Sequence, residues 1–158
     1  MNKYTVSLLI TISVVSFNLL LNTQSFGMCK AESQIRQKFD TFVKGYIDKN
    51  IEMTMSIFAP DVIANVQQAP SEQTYQDIKN SILKDFADSE LEYSYRYIIK
   101  EIECTDTIAI VRVIWKSSVF DPKRNAVIKM KQEVGMDIFK YRNNEWQLYR
   151  FITYPEKI

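Results

Sequence analysis

Residues 91–120 read LEYSYRYIIKEIECTDTIAIVRVIWKSSVF, and their hydrophobic period is two. Leu91, Tyr93, Tyr95, Tyr97 and Ile99 occupy alternate positions. Successive strand side chains point to opposite faces, so this repeat predicts a strand over 91–104 with one face turned to a core. Past Thr105-Asp106-Thr107, the run 108–120 is apolar at both odd and even positions, the pattern of a central strand. Two further extended segments, 127–141 and 145–154, are set off by the loops DPKRN at 121–125 and RNN at 142–144. Asp, Asn and Pro are turn formers, so the C-terminal half predicts an antiparallel meander joined by hairpins.

Upstream the period lengthens to between three and four. Ile35, Phe39, Phe42, Val43, Tyr46 and Ile47 share one face of a helix predicted over 31–49. A second helix over 51–58, carrying Ile51, Met55 and Phe58, is expected to end at Pro60. Val62, Ala64 and Val66 alternate in a short extended piece at 61–67. A third helix is expected over 71–87, with Ser71 as its N-cap and Tyr75, Ile78, Ile82, Leu83 and Phe86 as its stripe. Helices first and a long meander after them make the chain α+β.

The first residues are read apart. Lys3 precedes an almost unbroken apolar run at 5–21, and Ser25 and Gly27 offer small residues before a cleavage point. Residues 1–27 are therefore expected to be a signal peptide, leaving 28–158 as one domain. The expected location is periplasmic or secreted, with no membrane association after cleavage. Lipid attachment at Cys29 is disfavoured, because Met28 stands where such signals use a small residue. With Lys3 in the leader, basic and acidic side chains balance in the remainder, so nothing favours nucleic acid or an anionic surface. Export permits a disulfide between the two cysteines, Cys29 and Cys104. Spacing cannot establish that bridge, and two separate thiols remain the alternative.

Three segments carry a family resemblance: FVKGYIDKNIEMTMSIFAPDVIANV at 42–66, YQDIKNSI at 75–82 and NNEWQLYRFITYP at 143–155. Together they resemble the nuclear transport factor 2-like superfamily, which includes ketosteroid-isomerase-like and SnoaL-like domains, over about 32–155. One departure is that Ser71-Glu72-Gln73-Thr74 stands where the family has a glycine before its third helix. The resemblance implies a cone, in which a curved antiparallel sheet of cystatin-like type wraps the N-terminal helices and leaves an apolar pocket at its open end. Members use that pocket for isomerisation, cyclisation, dehydration or binding, or use the fold only to dimerise, so fold alone does not give chemistry.

Aligned through Phe58-Ala59-Pro60-Asp61, the isomerase base of the family falls at Val66 and its oxyanion tyrosine at Phe42. Neither residue can move or donate a proton. The chain has no histidine, which removes His-dependent nucleophile pairs and dehydratase His-Asp pairs. No metal or other cofactor is expected, and no catalytic residue is identified. A cyclase or isomerase using a lone Asp or Glu stays open, although Asp61 itself reads as a turn cap.

The pocket candidates are Tyr46, Tyr95, Trp115 and Gln132, aromatics with polar tips and one amide. Gln132 shares its strand face with Ile128, Met130, Val134, Met136 and Ile138. If that face is buried, the amide needs a partner, either a ligand or a neighbouring side chain. Arg112 and Lys116 interrupt Ile108, Ile110 and Ile114, as Arg96 does beside Ile98 and Arg150 beside Ile152. Such a face suits a homodimer interface or a half-solvated surface.

Three functions follow: a small apolar ligand bound without catalysis, an isomerase- or cyclase-type enzyme using a lone carboxylate, or a dimeric scaffold with a filled cone. An open pocket holding a carboxyl of raised pKa favours the second.

Overall fold

A computed structural model describes residues 29–66 and 69–156; the expected signal peptide at 1–27 lies outside them. In chain order the elements are α1 (Glu32–Ile47), α2 (Ile51–Met55), β1 (Phe58–Val66), β2 (Gln73–Thr74), α3 (Tyr75–Phe86), β3 (Glu92–Cys104), β4 (Ile108–Asp121), β5 (Ala126–Arg142) and β6 (Glu145–Pro155). The strands form one sheet in the order β2-β1-β6-β5-β4-β3. The meander β3 to β6 is antiparallel as expected. The sheet as a whole is mixed, because β1 lies parallel to β6. No helix among the described residues is long and apolar enough to cross a membrane.

The stripe of α1 is the spine of the core. Ile35, Phe39, Phe42 and Tyr46 are buried, whereas Ile47 faces outward and ends the stripe. Phe39 meets Trp115 and Phe139 edge-on, at ring-centroid distances of 5.1 and 5.5 Å, an arrangement favoured by the ring quadrupole. Gly45 lets α2 fold back closely on α1: a Cβ there would stand 2.6 Å from the Thr54 backbone nitrogen. Asn50 then caps α2, its side chain accepting from the Met53 N–H at 3.0 Å.

Two local readings need correction. The second helix stops at Met55, and Pro60 lies inside β1 instead of terminating a helix. It is tolerated there because the register against β6 breaks between Phe58 and Ile63, so a residue without an N–H removes no ladder bond. The third helix begins at Tyr75, and its N-cap is Thr74, not Ser71. Thr74 and Asp77 form a reciprocal capping box: the Thr74 N–H donates to Asp77 Oδ2 at 2.9 Å, and Thr74 Oγ1 accepts from the Asp77 N–H at 3.4 Å. Gln73 and Thr74 are instead the short strand β2, paired with Ala64 and Ile63.

Strand β4 is central, but only Ala109, Val111, Val113 and Trp115 turn inward to the core. Its other face, with Ile108 and Ile110, stays exposed. Strand β5 follows the same rule, with Glu133, Gly135, Asp137 and Phe139 inside and Ile128, Met130 and Met136 exposed. Cys29 and Cys104 are joined by a disulfide with a Cα–Cα distance of 5.6 Å, tying the segment before α1 to the end of β3.

Candidate functional site

The concave face of the sheet and the helices leave a cavity of about 410 Å³ between them. Phe42 and Tyr46 reach it from α1, Ile78 and Ile82 from α3, Tyr95 from β3 and Trp115 from β4. Phe58 and Val66 from β1, with Leu148, Phe151 and Thr153 from β6, complete an apolar and aromatic wall. The polar groups come mainly from β5, where alternate residues Lys129, Lys131, Glu133 and Asp137 face the cavity.

Three of the four sequence candidates, Tyr46, Tyr95 and Trp115, are brought together on this wall. Gln132 is not. It lies on the opposite face of β5, where its Nε2 donates to Glu156 Oε2 at 2.5 Å. The apolar run sharing its face is the outside of the sheet, so the need of the amide for a partner is met at the surface. Asp61 is also outside the cavity and is no turn cap. It sits in β1, and Arg142 Nη1 donates to its Oδ1 at 2.8 Å. That hydrogen bond and the Arg142 charge hold the carboxyl below its ordinary value.

Asp137 is the residue sequence reasoning missed. It is 2 % exposed, and its Oδ1 has no hydrogen-bond partner. Burial raises its pKa from 3.8 to about 7, with the Trp115 indole N–H acting in the opposite direction. Its position is set by neighbours across the sheet, Val111 on β4 and Phe151 on β6. Glu133, directly opposite Trp115, is also buried, and its Oε1 pairs with Lys131 Nζ at 2.8 Å. Burial, with smaller contributions from Glu133 and Asp137, pushes the Tyr95 phenol above its ordinary value. Burial and a 2.5 Å hydrogen bond to Asp85 Oδ2 do the same for Tyr46. Both phenols are therefore neutral across the physiological range and cannot act as bases; the Tyr46 O–H is already given to Asp85, whereas the Tyr95 O–H can serve as a donor.

Phe42 and Val66 both line the cavity. The positions to which the resemblance assigns the isomerase's tyrosine and base are thus on the wall, and both are apolar. What the arrangement can do chemically is concentrated in one carboxyl, one carboxylate–lysine pair and phenol hydroxyls. An Asp able to exchange a proton near neutral pH can donate to, or accept from, a ligand held against apolar walls.

No protein-family model matches the chain, and no curated protein matches it in sequence. Solved structures do. A conserved protein from Planctomyces limnophilus is 17% identical, with a TM-score of 0.65 over 79% of this chain and 97% of that one. A ketosteroid isomerase-like protein from Erwinia carotovora is 13% identical, with a TM-score of 0.64 over 83% of this chain and all of that one. A domain of unknown function with a cystatin-like fold from Nostoc punctiforme is 11% identical, with a TM-score of 0.66 over 83% and 81%. At such identities the likeness is one of fold: the chain has the nuclear transport factor 2-like, cystatin-like architecture.

Proposed function

We propose that the cavity takes up a small, largely apolar molecule and that Asp137 is the group acting on it, as proton donor or acceptor in an isomerase- or cyclase-type reaction. The observation that carries this reading is a carboxyl with an unpartnered oxygen on the wall of an otherwise apolar cavity. Buried polar groups are almost always satisfied within a protein, and exceptions concentrate at functional sites. The ketosteroid isomerase-like neighbour makes such chemistry compatible with the fold. Phe42 and Val66 exclude the arrangement of base and tyrosine implied by the resemblance, so the proton transfer proposed here is assigned to Asp137 and not to Glu133, which pairs with Lys131.

The test is proton exchange on an enolisable apolar ketone in D2O, followed by NMR. The expected result is α-deuteration above the buffer rate, falling by about 100-fold or more in Asp137→Asn, the usual scale of general acid–base catalysis. Ketone binding without faster exchange in either protein would leave a plain binding site. The same two apolar residues, Phe42 and Val66, favour that second reading.

Two further parts of the proposal concern setting and assembly. The Cys29–Cys104 disulfide supports an exported protein, since such bonds persist in oxidising compartments. It also occupies the sulfur that a lipid anchor would need. The outer face of the sheet, with Ile98, Ile110, Met136 and Ile152 exposed, supports a homodimer through that face.

A further inference from the structure

We infer that the ligand of this cavity is an amphiphile, an apolar body ending in an anionic group that Lys129 and Lys131 hold at the mouth. The inference rests on the reading of the cavity as a ligand site and specifies what that site takes. Strand β5 arranges the polar groups of the cavity in a line. Lys129, Lys131, Glu133 and Asp137 alternate along its inner face, so the cations stand at one end and Asp137 at the other.

The two ends differ in water access. Lys129 is exposed, the Lys131 side chain is 30% exposed, and Asp137 is buried. Between them the lining is Trp115, Tyr95, Phe42 and Phe151. Glu133 answers one lysine only, pairing with Lys131 at 2.8 Å. Among the described residues Lys129 has no carboxylate partner, so the mouth carries one more positive than negative charge. Two lysines turned towards the inside of a cone suit a ligand that brings an anion. They would repel a cation, and a neutral hydrocarbon would leave them without a role.

The spacing sets a length. Asp137 lies six steps along the strand from Lys131, about 20 Å at ~3.4 Å per residue. A lysine side chain reaches back over roughly 6 Å of that, leaving about 14 Å for the apolar body, the length of about a dozen methylenes. A cavity of about 410 Å³ accommodates a chain of that size.

Isothermal titration of the protein with dodecanoate, dodecanol and dodecyltrimethylammonium, each below its micelle concentration, tests the inference. Dodecanoate should bind at least tenfold more tightly than dodecanol, and the ammonium amphiphile most weakly. Lys129→Ala, an exposed change that leaves the Lys131–Glu133 pair in place, should narrow the carboxylate preference severalfold. Raising the salt to 0.5 M should narrow it in the same direction by screening. Equal binding of dodecanol and dodecanoate would show that the lysines are merely solvated and would overturn this inference while leaving the cavity a binding site. Tighter binding of the ammonium compound would overturn it too. If none of the three binds, the reading of the cavity as a ligand site fails along with it.

Discussion

Asp137 Oδ1 lies 3.2 Å from the point where a Cβ on Gly135 would stand, so the carboxyl occupies room that any other residue at position 135 would crowd. The same point is 3.1 Å from Val113 Cγ1 and 3.4 Å from Trp115 Cδ1. All three neighbours are side-chain atoms and can yield by a few tenths of an ångström, at a cost in packing. Gly135→Ala should therefore fold and lose about 1–3 kcal/mol, the usual cost of an added methyl in a packed site. Urea unfolding at pH 7 measures it, and an unchanged midpoint would mean that the glycine is not what makes space for the carboxyl.

The raised pKa of Asp137 makes stability fall as pH rises. The folded protein holds this proton more tightly than the unfolded chain, whose carboxyl titrates near the ordinary value of 3.8. The stabilising contribution is complete below about pH 4, declines between there and about pH 7, and is gone above. Across that window the loss is at most about 4 kcal/mol. Asp137→Asn should lack this decline, so the two stability profiles should diverge between pH 4 and 7 and run parallel above pH 8. Parallel profiles throughout would show that Asp137 titrates normally.

The legibility of the chain divides along a physical line. Periodicity showed which residues share a face, so the α1 stripe of Ile35, Phe39, Phe42 and Tyr46 and the four-strand meander could be read directly. It could not show which face of β5 is inside. The outward set, Ile128, Met130, Val134 and Met136, is the more hydrophobic, and the inward set carries Lys129, Lys131, Glu133 and Asp137 into the cavity, which inverts the usual rule. The sequence pattern consequently puts Gln132 on the pocket side and Asp137 on the outside. The one available signal was Phe139, which shares a face with Asp137 and is fully buried. The start of α3 was missed for a different reason. Ser71 offered an N-cap, but Thr74 with Asp77 three residues on completes a reciprocal box, which a lone serine does not.

The disulfide should matter to stability out of proportion to its position near the chain's edge. Cys29 and Cys104 are separated by 75 residues, and closing so long a loop restricts the unfolded chain by up to about 4.5 kcal/mol in the chain-entropy view. The double variant Cys29→Ser with Cys104→Ser should retain the fold, lose about 2–4 kcal/mol, and become insensitive to dithiothreitol. Equal stability of the oxidised and reduced wild-type protein would contradict this.

The outer sheet face supports a last prediction, because its cross-strand rows can be read from the register. Ile98, Ile114, Val134 and Tyr154 run side by side across β3 to β6. The next row is Glu101, Arg112, Met136 and Ile152, with Arg112 Nε donating to Glu101 Oε2 at 3.3 Å. In this row the two charges pair with each other, while Arg96 and Lys116 stand opposite one another beyond the Ile98 row, so the apolar patch lies between the two charged rows and towards β5 and β6. Met136 is 45% and Ile152 48% exposed, as neighbours in one row. Contiguous apolar surface of this kind marks an interaction site, and the same face on two copies can complement itself about a two-fold axis. The wild-type protein should sediment as a dimer at micromolar concentration. Met136→Lys should convert it to a monomer, because a like-charged pair would face itself across the axis. The side chain at 136 points away from the cavity, so the same variant should bind dodecanoate like the wild type. A wild-type monomer at 100 µM would refute the dimer. Loss of both dimer and ligand in Met136→Lys would instead mean that the two faces of the sheet are coupled.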